Sequence, residues 1–235
     1  MPGAAVKSAR SGRISSGRPP GIRKLAAQAT RDNILKAAIK VFAKSGFSGG
    51  RVEQISRTAN SFDRMIYYYF GSKEKLFIAA LEEIYRRFCE AESKVALDLD
   101  QPAESLRTVI LFMWTYYQKH PEFITLLNSE NLHRGVHISK SMRAREYSAA
   151  AISILDKVLK SGISEKVFRS DVDARDVYLM IASLSYFYLS NRFTLKAFFG
   201  EDLETTPALA HWERFITDAV LRVVALAPSR PPAPT

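Results

Sequence analysis

At 235 residues with 47% hydrophobic content, the chain can bury a sizeable core, as one large domain or as a small domain joined to a larger one. Its longest apolar runs, Val109 to Trp114 and Tyr178 to Leu189, are broken by polar residues well short of the about 20 needed to cross a bilayer, so no membrane span is expected. The basic start lacks the apolar core and cleavage site of a secretory signal, and a lone cysteine, Cys89, excludes an internal disulfide; the chain is expected in the cytoplasm. Cys89 falls where a helix would bury it as a small apolar group, with no basic partner to activate it.

The formal charge of +10 is concentrated at the start. Lys7, Arg10, Arg13, Arg18, Arg23, Lys24 and Arg31 precede the first acidic residue, Asp32, and leave only +3 for the rest. Residues 1–29 also carry Gly, Ser and the pair Pro19-Pro20, with few large apolar groups, which predicts a disordered basic arm. Such an arm can attract phosphates or enter a minor groove; it can equally be a solubilising tail.

Beyond it, Thr30 can cap a first helix in which Ile34, Ala38, Val41, Phe42 and Ser45 recur at helical spacing, and Gly46 can end it. Arg51 to Ala59 reads as a second helix. After a break at Asn60-Ser61, Asp63 to about Tyr68 reads as a third, in which Met65 and Ile66 alternate between groove and core faces. Ser72 can cap a long fourth helix, reaching about residue 97, with Leu76, Ala80, Ile84, Phe88 and Ala91 as its stripe. Further helices are predicted at Ala103 to Gln118, Glu122 to Asn131, Lys140 to Lys160, Ala174 to Lys196 and Ala208 to Ala225. A Pro-rich tail, 228–235, is expected to be disordered. The fold class is all-α: an N-terminal helix-turn-helix domain of three helices (30–76), then a larger helical ligand-binding and dimerisation domain (77–227).

A helix-turn-helix needs a first helix against the DNA backbone, a tight turn, and a second helix whose amino end meets base edges. The run Ile34-Leu35-x-Ala37-Ala38, Phe42, Gly46-Phe47, Ile55 and Ile66-Tyr67-Tyr68-Tyr69-Phe70-Gly71-Ser72-Lys73-Glu74-Lys75-Leu76 closely resembles the DNA-binding domain of the TetR family of transcriptional regulators. The resemblance covers about fifty residues, and the all-helical remainder agrees with it. It implies that Asp63, Arg64 and Met65 open the recognition helix, with Arg64 on guanine and Met65 on a thymine methyl. At Tyr67 and Tyr68 it implies one ring inside the domain and a hydroxyl at phosphate. Lys73, at the start of the fourth helix, matches the family's phosphate-contacting lysine, and Gly50 and Arg51 can also meet phosphate. Four positions depart from the family's pattern. Asn60, Ser61 and Phe62 replace the usual Gly, aliphatic residue and capping Ser; Asn60 tolerates the left-handed turn and Ser61 can cap from one residue earlier; Tyr69 replaces the family's common histidine.

So short a recognition helix reads few base pairs, so a homodimer on a palindromic operator is expected. The resemblance places dimerisation in the last two long helices, where Ile216, Val220, Val223 and Val224 form an apolar stripe; packing within one subunit is the alternative. It also implies an effector pocket among the aromatic middle helices. The candidate residues are Trp114, Tyr117, Phe123, Asn128, Asn131, His133 and Tyr147, suited to a small aromatic or heterocyclic ligand. The layout around His120-Pro121-Glu122 and Leu126 to Asn131 also looks like regulators of nucleobase or pyridine catabolism. His133 and His137 are four apart, but Gly135 lies between them and no third ligand is evident, so no metal, cofactor or catalytic group is assigned. The reading is a ligand-responsive dimeric repressor. The alternatives are a non-specific or architectural DNA binder driven by the arm, and an enzyme or ligand carrier.

Overall fold

The computed structural model describes residues 20–226, so arm residues 1–19 and the tail from Pro228 lie outside the described residues. Among the described residues ten α-helices follow one another: α1 (Pro20–Gly49), α2 (Val52–Thr58), α3 (Asp63–Phe70), α4 (Lys73–Glu92), α5 (Pro102–Lys119), α6 (Pro121–Leu132), α7 (Ala144–Ser164), α8 (Ala174–Ser190), α9 (Arg192–Phe199) and α10 (Thr206–Val224), with a 3-10 turn at Ile138–Lys140 before α7. Among the described residues the only strand-like pairing is one antiparallel bridge, Phe168 with Ala225, so the chain is all-α. No described helix is long and apolar enough to cross a membrane.

Helix α1 starts ten residues before Thr30, which corrects the assignment of 20–29 to a disordered arm. Pro20 suits a first helical turn, and Leu25, Ala26, Ala27 and Ala29 are strong helix formers. Thr30 is therefore no cap: its hydroxyl donates to Ala26 O at 2.9 Å inside the helix. At the far end Gly46, at φ 67°, kinks the chain, and its carbonyl accepts from Gly50 N–H at 3.0 Å.

Ile34, Ala38, Phe42, Ile55, Ile66, Leu76 and Phe77 are fully buried together, with the Phe42 and Phe77 rings edge-on at 5.1 Å. This core joins α1, α2, α3 and the first half of α4. Ser72 caps α4 as expected, its hydroxyl accepting from Lys75 N–H at 3.1 Å. The helix stops at Glu92 instead of about residue 97 because Ser105 of α5 grips the following loop, exchanging bonds with Asp98 N–H (3.0 Å) and Asp98 O (2.7 Å).

In the larger domain α5 packs on α7, α8 and α10, while α6 lies between α1 and α8. Helix α7 runs past Gly162 because the Phe168 ring occupies the space where a side chain would stand, 2.0 Å from an ideal Cβ. The long helix expected from Ala174 to Lys196 is two helices, broken at Asn191. There the Asn191 side-chain amide bonds Phe187 O, and Tyr188 donates to Leu203 O, turning the chain toward α10.

Candidate functional site

The turn between α2 and α3 forms as its residues require. Asn60 takes φ 48°, the left-handed conformation, and Ser61 N–H donates to Ser56 O at 2.9 Å. Ser61 does not cap α3. Instead the Asp63 carboxylate in the first turn bonds Ser56 Oγ across the turn, locking α3 to α2 and complementing the positive helix end. Helix α3 begins at Asp63, the residue named from sequence.

Ile66 and Phe70 point into the core, so Phe62, Arg64, Tyr67 and Tyr68 face solvent. Tyr67 and Tyr68 are 52% and 77% exposed, and the ring that packs inward is that of Tyr69. Met65 is half-buried against the core rather than presented outward. The Arg64 guanidinium lies 5.4 Å over the Phe62 ring, which orients it along the outer face. The exposed Phe62 ring is part of the same face.

Two of the expected phosphate groups have internal work. Gly50 is buried, its N–H is spent on Gly46 O, and a Cβ there would meet the Phe42 ring at 2.6 Å, so it is a packing glycine. Lys73 bends back to Ser48 O at 3.4 Å and over the Phe47 ring at 4.8 Å, and partial burial lowers its pKa. Arg51 and Lys75 are exposed beside the same face. Lys75 was not singled out because a lysine one turn into a helix carries no signal of its own.

His133 and His137 sit between the two domains. Phe47 N–H donates to Ser129 Oγ at 3.1 Å; His133 Nε2 meets Ser48 Oγ at 3.2 Å while its Nδ1 meets Ser129 O at 2.7 Å. With a carbonyl at Nδ1, that nitrogen carries the proton and Nε2 accepts from Ser48. Buried Glu130 accepts from His137 N–H, Ile138 N–H and His137 Nδ1 at 2.7–2.9 Å, holding the His137 ring against Phe47 and Phe77. Lys140 pairs with Glu74 at 2.5 Å beside them. The end of α6 is thus bolted to the ends of α1 and α4. This removes His133 from the expected pocket; Asn131 is exposed and also outside it.

A cavity of about 250 Å³ lies among α4, α5, α6 and α8, lined by Tyr85, Tyr117, Phe123, Leu127, Tyr178, Ala182, Ser183 and Tyr186. Of the expected pocket residues, Tyr117 and Phe123 line it. Asn128 stands behind, its Oδ1 accepting from Tyr186 and Ser190. Tyr147 stacks behind Tyr85, ring centroids 6.2 Å apart, and faces a separate polar cleft. Trp114 is sealed in the core against Tyr188, where α5 turns it away from the cavity. Burial raises the phenols of Tyr85, Tyr117 and Tyr178, so they stay neutral, and their hydroxyls have no hydrogen-bond partner among the described residues. Sequence inspection missed Tyr178 and Tyr186; their spacing with Ala182 marks one helical face but does not say what it faces. Cys89 lies nearby, its thiol half-buried and raised by that burial.

The expected dimer stripe is mostly internal. Ile216, Val220 and Val224 are 0% exposed, filling the contact of α10 with α5 and α8; only Val223 of that set faces out. The outward apolar face consists of Leu179 and Phe187 on α8 and Phe215 and Val223 on α10, with Trp212 stacked on Phe215 at 5.0 Å.

Residues 34–80 match the family model described as bacterial regulatory proteins, tetR family, and residues 102–220 match the tetracyclin repressor-like C-terminal domain. The chain is 54% identical over 205 residues to the HTH-type transcriptional repressor NicS of Pseudomonas putida, covering 87% of this chain and 97% of that protein. It is 44% identical to the HTH-type transcriptional regulator RutR of Escherichia coli over 64 residues, 27% of this chain and 30% of RutR. Two solved structures share the fold. The transcriptional regulator SCO4942 of Streptomyces coelicolor has TM-score 0.62 at 21% identity, covering 83% of this chain and 98% of its own. Bacillus subtilis FadR in complex with stearoyl-CoA has 0.61 at 22%, covering 81% and 97%.

Proposed function

This chain belongs to the TetR family of bacterial regulatory proteins, and from that premise we infer how it works: it is a ligand-responsive DNA-binding repressor, a regulator rather than an enzyme, whose α3 reads an operator. Regulators of this family bind DNA operators and small-molecule effectors, usually as dimers. Here α3 enters the major groove with Arg64 on a guanine, Phe62 and Tyr68 along the groove edge, and Arg51, Tyr67, Lys75 and the start of α4 on phosphates. The observation that carries this is the solvent-facing set Phe62, Arg64, Tyr67 and Tyr68, on a helix whose opposite face is buried.

The division of labour follows residues 30–76 for DNA and 77–227 for effector and partner. Two copies meet through Leu179, Phe187, Phe215 and Val223, which doubles the readout on a palindrome. The effector enters the cavity between Tyr85, Tyr117, Phe123 and Tyr178. Its walls are mostly flat aromatic rings, which favour a planar ring stacked against them. Effector binding favours the arrangement of α4 and α6 that suits it, and the links of Glu130–His137 and Ser48–His133 carry that preference to α1 and α4. The basic arm adds phosphate attraction and salt dependence.

The test is binding of wild type and Arg64→Ala to a palindromic fragment from the chain's own promoter region. The variant should lose about 1–3 kcal/mol and relax discrimination at one base position in each half-site. An unchanged sequence preference removes Arg64 from the readout. Equal binding of random and promoter DNA at physiological salt sinks specific repression in favour of arm-driven, architectural binding.

A further inference from the structure

The N-cap of α3 is Phe62, at φ −109° and ψ 149°, and its side chain makes no capping hydrogen bond. A Ser, Thr, Asn or Asp there would accept from an early backbone N–H, so the helix forgoes a stabilising cap for an apolar ring that is 69% exposed. The place of that ring is nevertheless fixed. Phe62 O accepts from Met65 N–H at 2.9 Å, and the bond between Asp63 and Ser56 ties the next residue to α2. Met65, which the family resemblance assigns to a thymine methyl, packs half-buried against the core. Phe62 is therefore the exposed apolar side chain at the amino end of α3, with the Arg64 guanidinium 5.4 Å from its ring centroid.

We propose that Phe62 is a specificity-determining residue that reads the C5-methyl of a thymine within two base pairs of the guanine contacted by Arg64. This rests on α3 lying in the major groove. A phenyl ring carries no donor or acceptor, and the apolar group that base edges display in that groove is the thymine methyl. Base pairs stack at about 3.4 Å, so two side chains 5.4 Å apart at one helix end reach adjacent pairs or pairs one removed. The cation–π contact keeps the two readers together, so the operator feature they recognise is a joint one, a guanine with a nearby thymine.

The test uses the full-length protein and the palindromic promoter fragment, synthesised with deoxyuridine in place of thymidine at one symmetric pair of positions at a time. That exchange removes a methyl and keeps the base pairing. Wild type should lose about fourfold in affinity per half-site at one thymine pair, the worth of one buried methyl. The pair should lie within two base pairs of the position where Arg64→Ala relaxes discrimination. Phe62→Ser should show no loss at that pair on deoxyuridine exchange, while melting at or above wild type because serine supplies the missing cap, which excludes misfolding as the cause. A deoxyuridine loss that survives Phe62→Ser gives the methyl to another side chain and overturns the proposal. Wild type that is indifferent to every exchange, or sensitive only farther from the Arg64 position, overturns it too and moves the ring to the sugar edge, with promoter DNA still preferred over random DNA. Equal binding of promoter and random DNA by wild type overturns the groove reading itself.

Discussion

Helix α3 and helix α10 each carry an apolar stripe of the same period, yet the stripe predicted its neighbour only in α3. In α3, Ile66 and Phe70 can reach one core, because two short helices and a left-handed turn at Asn60 bracket it within a few residues. Helix α10 is apolar on two faces. Ile216, Val220 and Val224 occupy one, Phe215 and Val223 the other, and α5 decides which is inside. A helix that serves both a core and a partner hides its orientation from periodicity.

The sharpest way to break this contrast is to charge each α10 face in turn. Val220→Asp places an unpaired carboxylate in the core and should cost more than about 4 kcal/mol, seen as loss of the cooperative circular-dichroism melt. The pair Phe187→Ser with Phe215→Ser should stay folded and sediment as a monomer. A folded monomer from Val220→Asp, with the double serine variant still dimeric, would reverse the inside and outside of α10.

Within the DNA-binding half, Gly50→Ala sets a Cβ into the Phe42 ring and should cost about 1–3 kcal/mol in thermal stability. An unchanged melt with weakened DNA binding would return Gly50 to a phosphate role.

In the larger half, Glu92 makes stability depend on pH. The folded carboxyl keeps its proton to about 7, whereas the unfolded chain releases it near 4.5, so this group's contribution falls as pH rises between those values. The advantage of E92L over wild type should therefore grow by about 3 kcal/mol from pH 4 to pH 8. A pH-independent difference between the two melts would mean that the carboxyl is solvated.

The smallest expected effect lies between the regions. His133→Ala removes one hydrogen-bonded link, about 1 kcal/mol of stability, and should blunt effector-driven release of DNA more than it weakens DNA binding itself. Equal release from variant and wild type would take His133 out of the coupling.

Sequence by itself determined what neighbours along the chain enforce. The Ser72 cap, the left-handed Asn60, the start of α3 at Asp63 and the all-helical class each rest on bonds spanning a few residues. It also carried the family, because the spacing from Ile34 to Leu76 records a whole packed unit. Tertiary structure decided the roles that depend on distant partners. Lys73 turns inward because Ser48 O and the Phe47 ring await it, and the two histidines bolt α6 to α1 through a contact 85 residues apart in sequence. Trp114 leaves the cavity because α5 faces α8 and α10 at that turn, and Glu92 is buried without a partner only once the larger domain packs around the end of α4. Helical period says that a residue is on a face, but packing energy, summed over partners far away in the chain, chooses what the face meets.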